Sequence, residues 1–163
     1  MATFVHLTPE KHARSIRRAG IKAQPIHPSV PPGVFAMPVV PNFYQSHQWL
    51  RELKRRGQRT FTAVYFRIPD PTPVLVGRYN QPHHEISAAE ALALLLHGHA
   101  ELGYEVVIPR SIDPREIRAI RLVNQGVGWR YYPSAHGDRP CPCSRCQPRG
   151  EIKSRRIRQA GLT

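Results

Sequence analysis

Proline sets the grain of this chain. Its 17 prolines sit at junctions between short apolar runs and form no low-complexity tract. The sequence therefore reads as a folded body cut into short elements, not as a wholly disordered chain. Residues 3–7 read as a strand, and Thr8-Pro9-Glu10 opens a helix, with threonine as cap and proline in the first turn. Gly20 ends that helix. Residues 21–32 are a proline-rich linker, 33–37 an apolar strand, and 44–56 a helix with Trp49, Leu50 and Leu53 at helical spacing before Gly57. Strands are predicted over 60–68 and 74–78, the latter closed by turn residues 80–82. Ser87-Ala88-Ala89-Glu90 is a capping box for a helix reaching about His97. A strand follows over 103–108, a capped turn at Asp113-Pro114-Arg115-Glu116, then strands over 116–123 and 127–132. Strands and helices mix without a βαβ rhythm, so the expected class is α+β.

Length and charge bound the function. At 163 residues and 40% hydrophobic content, one domain can bury about two-thirds of its unfolded surface. No apolar run approaches the ~18 residues of a membrane span, and Met1 to Leu7 is too short for a secretory signal. Three cysteines, all between 141 and 146, make no disulfide framework, so a reduced, cytoplasmic protein is expected. The 24 Lys and Arg against 11 Asp and Glu give a net charge of +13. Such an excess suits a polyanionic partner, nucleic acid before a membrane, though a basic surface with no partner is the plain alternative.

Three segments carry candidate chemistry. In Gly103-Tyr104-Glu105-Val106-Val107-Ile108, a carboxylate interrupts an apolar strand. It either faces solvent at a sheet edge or lines a cleft that needs an acid. Phe4-Val5-His6-Leu7-Thr8 puts a histidine on the opening strand, where a structural role is the simpler reading. Gly33-Val34-Phe35-Ala36-Met37 is a glycine-led strand, followed by the polar-aromatic stretch Asn42-Phe43-Tyr44-Gln45-Ser46-His47-Gln48-Trp49.

In this order the three segments resemble the ADP-ribosyltransferase superfamily, in particular its H-Y-E class of poly(ADP-ribose) polymerase and diphtheria toxin-like domains, and more distantly the RNA 2′-phosphotransferases. The resemblance covers roughly residues 3–132. It implies split mixed or antiparallel sheets with flanking helices, and NAD⁺ as substrate. It implies further that Glu105 stabilises the oxocarbenium-like state as the nicotinamide–ribose bond breaks. His6 would hold a ribose hydroxyl, Ser46 would brace the pocket, and Trp49, standing where the family has tyrosine, would stack on nicotinamide, with Tyr44 as the alternative stacker. Thr8, Gly33 and Phe35 complete the implied cofactor-binding set. Leu7 follows the histidine where many members have glycine. A small toxin or defence effector with an antitoxin or immunity partner suits the size.

After Pro133 the composition turns basic and poor in apolar residues. Domains are therefore expected at 1–133 and 134–163. Cys143-x-x-Cys146 has zinc-knuckle spacing, and Cys141 with His136 would complete a closed, structural Zn²⁺ site beside a basic tail. Incidental or redox cysteines are the alternative. His83-His84 followed by Glu85 invites a metal-site reading, but adjacent side chains point apart and the stretch is Pro-led, so it reads as a loop that contacts substrate or merely exposes its imidazoles. An RNA 2′-phosphotransferase and a non-catalytic zinc-dependent nucleic-acid-binding protein are the rival functions.

Overall fold

The computed structural model describes residues 1–26, 31–54, 60–79, 81–97 and 103–125, all within a compact unit spanning Met1–Trp129. The expected strand over 127–132, the zinc candidates His136, Cys141, Cys143 and Cys146, and the basic tail lie outside the described residues.

Seven strands form one sheet among these residues: β1 (Ala2–Pro9), β2 (Val34–Pro38), β3 (Phe61–Ile68), β4 (Pro73–Arg78), β5 (His84–Ser87), β6 (Tyr104–Ile108) and β7 (Ile117–Leu122). Their order is β5-β4-β6-β2-β1-β3-β7, and every pair is antiparallel. The helices are short: α1 (Ala13–Ala19), α2 (Phe43–Ser46), α3 (Leu50–Lys54) and α4 (Ala88–His97). The class is α+β, as the sequence pattern predicts. No helix of the described residues is long and apolar enough to cross a membrane.

The centre of the sheet is its most apolar part. Phe4, Val64, Phe66, Val74, Val76, Val106 and Ile108 are fully buried, and each large aliphatic or aromatic side chain removed from water contributes about 1.5–3 kcal/mol. α4 packs across β1, β2, β4 and β5, burying Ala88, Ala91 and Leu95. It starts as expected: Ser87 Oγ accepts from the Glu90 N–H at 3.2 Å, and Glu90 Oε2 accepts from the Ser87 N–H at 2.7 Å. The reciprocal cap at Asp113 is also present, and Glu116 there takes two hydrogen bonds from Arg110, at 2.6 and 2.8 Å. Gly20 has φ 76°, and a Cβ there would collide with the Ile112 carbonyl oxygen. Both the turn and the Ile21–Ile112 bridge beside it therefore require glycine.

The structure departs from the sequence reading in three places. β1 continues through Thr8 and Pro9, which pair with Thr62 and Phe61. Thr8 is thus a buried strand residue and caps nothing; a 3-10 turn follows at Glu10–His12 with no side-chain cap. The helix expected over 44–56 is interrupted, because residues 47–49 turn their polar groups to distant partners. Gln48 Oε1 accepts from the Gly103 N–H at 2.6 Å, and Trp49 Nε1 donates to the Tyr104 carbonyl at 2.6 Å. The stretch expected to be a loop at 83–85 instead runs into the edge strand β5.

Candidate active site

Glu105 stands on β6, between β4 and β2, with 17% of its side chain exposed. Burial pushes its carboxyl up from 4.5 to about 7, because an anion loses more hydration than the neutral acid. Opposite it on β4 is Gly77. A Cβ at Gly77 would fall 2.7 Å from the Pro82 carbonyl oxygen and 2.9 Å from His83 Cγ. The missing side chain lets the segment entering β5 close over the strand and seats His83 beside the acid, Nε2 to Oε2 at 3.6 Å.

Among the described residues His83 Nε2 is buried and has no hydrogen-bond partner. Desolvation lowers the pKa of His83, with the Gln81 backbone opposing and the His84 charge adding to the effect. The ring is held toward its neutral form, with Nε2 facing Glu105.

His6 lies on the other side of β2. The β1–β2 ladder pairs Phe4 with Pro38 and Val5 with Met37, whereas the β1–β3 ladder continues to Pro9–Phe61. β1 and β2 therefore part after Val5. At that opening His6 Nδ1 donates to the Phe35 carbonyl at 2.7 Å. Desolvation lowers the His6 pKa, against that hydrogen bond, so the ring is neutral and its Nε2 is an acceptor.

Alternation along the strands sorts the remaining candidates. Through the pairs Tyr65–Val5, Val5–Met37, Phe35–Val107 and Glu105–Gly77, one face carries Tyr65, Val5, Met37, Phe35, Val107 and Glu105. α2 covers the Tyr65 end, where the Tyr65 hydroxyl donates to His47 Nε2 at 2.9 Å while His47 Nδ1 donates to the Phe43 carbonyl. Phe35 is 43% exposed on this face. His6, one residue on from Val5, belongs by alternation to the opposite face. Its contact with β2 is the hydrogen bond from Nδ1 to the Phe35 carbonyl at the gap between the strands.

Ser46 is buried and braces the turn after β2: its Oγ accepts from the Val40 N–H at 2.9 Å. Trp49 is half-buried, held by the Tyr104 carbonyl and packed 5.6 Å from the Tyr79 ring. Tyr44 is 40% exposed on α2. Gly33 enters β2 so closely that a Cβ would meet Val107 and the Ile108 carbonyl. Thr8 is buried beside Thr62, away from any surface. The structure thus gathers Glu105 and Phe35 on one face, with Ser46 and Trp49 as braces and His6 at the gap. His83 escaped the sequence reading as a partner for Glu105; its one signal was a glycine, Gly77, inside an otherwise apolar strand.

Among the described residues, no three His, Cys, Asp or Glu side chains gather as a metal site. No family model, no curated protein and no solved structure matches this chain.

Proposed function

We propose that the protein is an NAD⁺-dependent ADP-ribosyltransferase that modifies nucleic acid, built on an ADP-ribosyltransferase-like sheet. The observation that carries this reading is the parting of β1 and β2 after Val5–Met37, with a neutral histidine at the opening and a carboxyl on the strand beyond β2. Where paired, strands in a sheet lie about 4.7–4.9 Å apart, so β1 and β6, separated by β2, stand at least roughly 10 Å from each other.

In this reading the ribose lies on the face that carries Phe35 and Glu105, at the opening where β1 and β2 part. His6 belongs to the opposite face and meets a ribose hydroxyl only through that opening, with Nε2 as acceptor because its Nδ1–H is committed to Phe35. Glu105, ionised, faces the anomeric carbon and stabilises positive charge as the bond to nicotinamide breaks. Phe35 and Tyr44, both exposed, offer faces for the nicotinamide ring. Trp49, with Nε1 engaged and its ring against Tyr79, anchors the start of β6 and so holds Glu105 in place. The net charge of +13 favours a polyanionic acceptor.

The test is to mix the purified protein with NAD⁺ and DNA, RNA or protein, and to measure nicotinamide release and mass gain on the acceptor. Glu105→Gln should lower both by at least about a hundredfold, the usual cost of one preorganised electrostatic group. An unchanged rate in that variant ends the proposal, and mass gain on protein alone ends its nucleic-acid half.

A further inference from the structure

We infer that His83 is the catalytic base of this site: its Nε2 receives the proton of a hydroxyl or N–H acceptor while Glu105 holds the imidazolium that results. The inference rests on the transferase reading above and adds to it the kind of acceptor. Breaking the ribose–nicotinamide bond sends its electron pair to the nicotinamide nitrogen, which becomes neutral. The acceptor atom's lone pair forms the new bond to the ribose. If that atom carried a proton, the proton must leave. A carboxylate or phosphate acceptor has none to lose, whereas a sugar hydroxyl or a base nitrogen does.

His83 has the attributes of that proton acceptor. Its Nε2 lies 3.6 Å from Glu105 Oε2 and is buried, with no hydrogen-bond partner among the described residues. A buried polar atom left unpaired costs stability, and this one is held in place by a specific device, the absent side chain of Gly77. The role requires the tautomer with its proton on Nδ1 and Nε2 bare. Glu105 then does two things in sequence: it steadies the sugar cation, and it offsets the charge that appears on His83. Among neighbouring charged groups, Glu85 shares the face of Glu105, while His84 and Arg78 point to the other face, opposite Val76 and Tyr104.

Three measurements decide the matter. His83→Gln should slow transfer about a hundredfold, within the range for a general base, while NAD⁺ affinity stays within about threefold. In His83→Ala, added imidazole should restore at least a tenth of the lost rate, which a purely structural role would not allow. In the wild-type protein, nitrogen-resolved NMR at pH 8 should show His83 protonated at Nδ1 and bare at Nε2. Transfer within threefold of wild type in His83→Gln, or a loss that imidazole leaves untouched, overturns the inference. So does an Nε2-protonated ring at pH 8, which needs no variant. If Glu105→Gln abolishes nicotinamide release and His83→Gln preserves transfer, the transferase reading survives and the role of His83 falls. A wild-type protein that never releases nicotinamide removes both.

Discussion

Replacing Glu105 with glutamine should make the protein more stable at alkaline pH and leave its relative stability unchanged in mild acid. In the folded protein the carboxyl holds its proton up to about 7, against 4.5 for a solvated glutamate. Between those values the folded state binds more protons than the unfolded one, so wild-type stability falls as pH rises from 4.5 through 7. At about 1.4 kcal/mol per tenfold, the step from 4.5 to about 7 corresponds to roughly 3 kcal/mol as an upper bound. The carboxyl keeps 17% of its surface in solvent, which screens the charge and brings the figure to about 1–2 kcal/mol. Glutamine has the same shape and no titration, so whatever its amide costs is the same at every pH. For a chain of this length, 1 kcal/mol moves the melting temperature by roughly 2–4 °C. The melting temperature of Glu105→Gln minus that of wild type should therefore rise by about 2–8 °C between pH 5 and pH 8, as read by calorimetry or circular dichroism. A difference constant to within a degree over that range would refute the account of a desolvated, unpaired acid.

The remaining expectations follow from the same geometry. Because the ionised carboxylate is the working form, the rate of nicotinamide release should climb with pH through about 7 and then level off; a pH–rate profile that falls over this range contradicts the role given to Glu105. Gly77→Ala should lift His83 away from the acid, since its Cβ would meet backbone at 2.7 Å. It should cost about 1–3 kcal/mol in a urea melt and return the Glu105 titration toward 4.5. Ser87→Ala, which removes the α4 cap, should cost about 1 kcal/mol by the same melt without altering that titration. If Cys143 and Cys146 ligate zinc, elemental analysis should find one zinc per chain, and none after both are replaced by serine.

What could be read from sequence was what is decided within a few residues. The caps at Ser87 and Asp113 and the turn at Gly20 each depend on neighbours in the chain, and all three are present. Thr8-Pro9-Glu10 has the same local signature and fails, because the β1–β3 ladder continues through Thr8–Thr62 and Pro9–Phe61 and overrides the cap. Residues 47–49 break a helix that spacing favours, because Gln48 and Trp49 find their partners at Gly103 and Tyr104, some 55 residues away. β5 is polar and preceded by proline, and only its register against β4 makes it a strand. The candidate site divides along the same line. Glu105 stands out in an apolar run, so it was visible. Its neighbour His83 is set by a register that pairs Glu105 with Gly77, and no local pattern encodes that.

Among the described residues no charged partner acts on Glu105, and this has a measurable consequence for ligand binding. Burial alone, with no opposing charge, raises this acid to about 7, although the chain carries a net charge of +13. A guanidinium or ammonium beside it would bring the carboxyl below the usual range and would weaken its field toward a ligand. A cationic nicotinamide ring placed there supplies the missing partner, and in a partly dehydrated site that attraction is several times stronger than in water. Binding should therefore lower the Glu105 pKa and expel its proton. At pH 7 the free acid is about half protonated, so NAD⁺ binding should release up to roughly half a proton per chain, and at pH 9 almost none. NADH, whose nicotinamide ring is uncharged, should release far less at either pH. Titration calorimetry at pH 7 in phosphate and in Tris separates the cases, because released protons add each buffer's own heat of ionisation. Equal heats of NAD⁺ binding in the two buffers would mean that no cation meets this carboxyl, and the placement of nicotinamide beside Glu105 would be wrong.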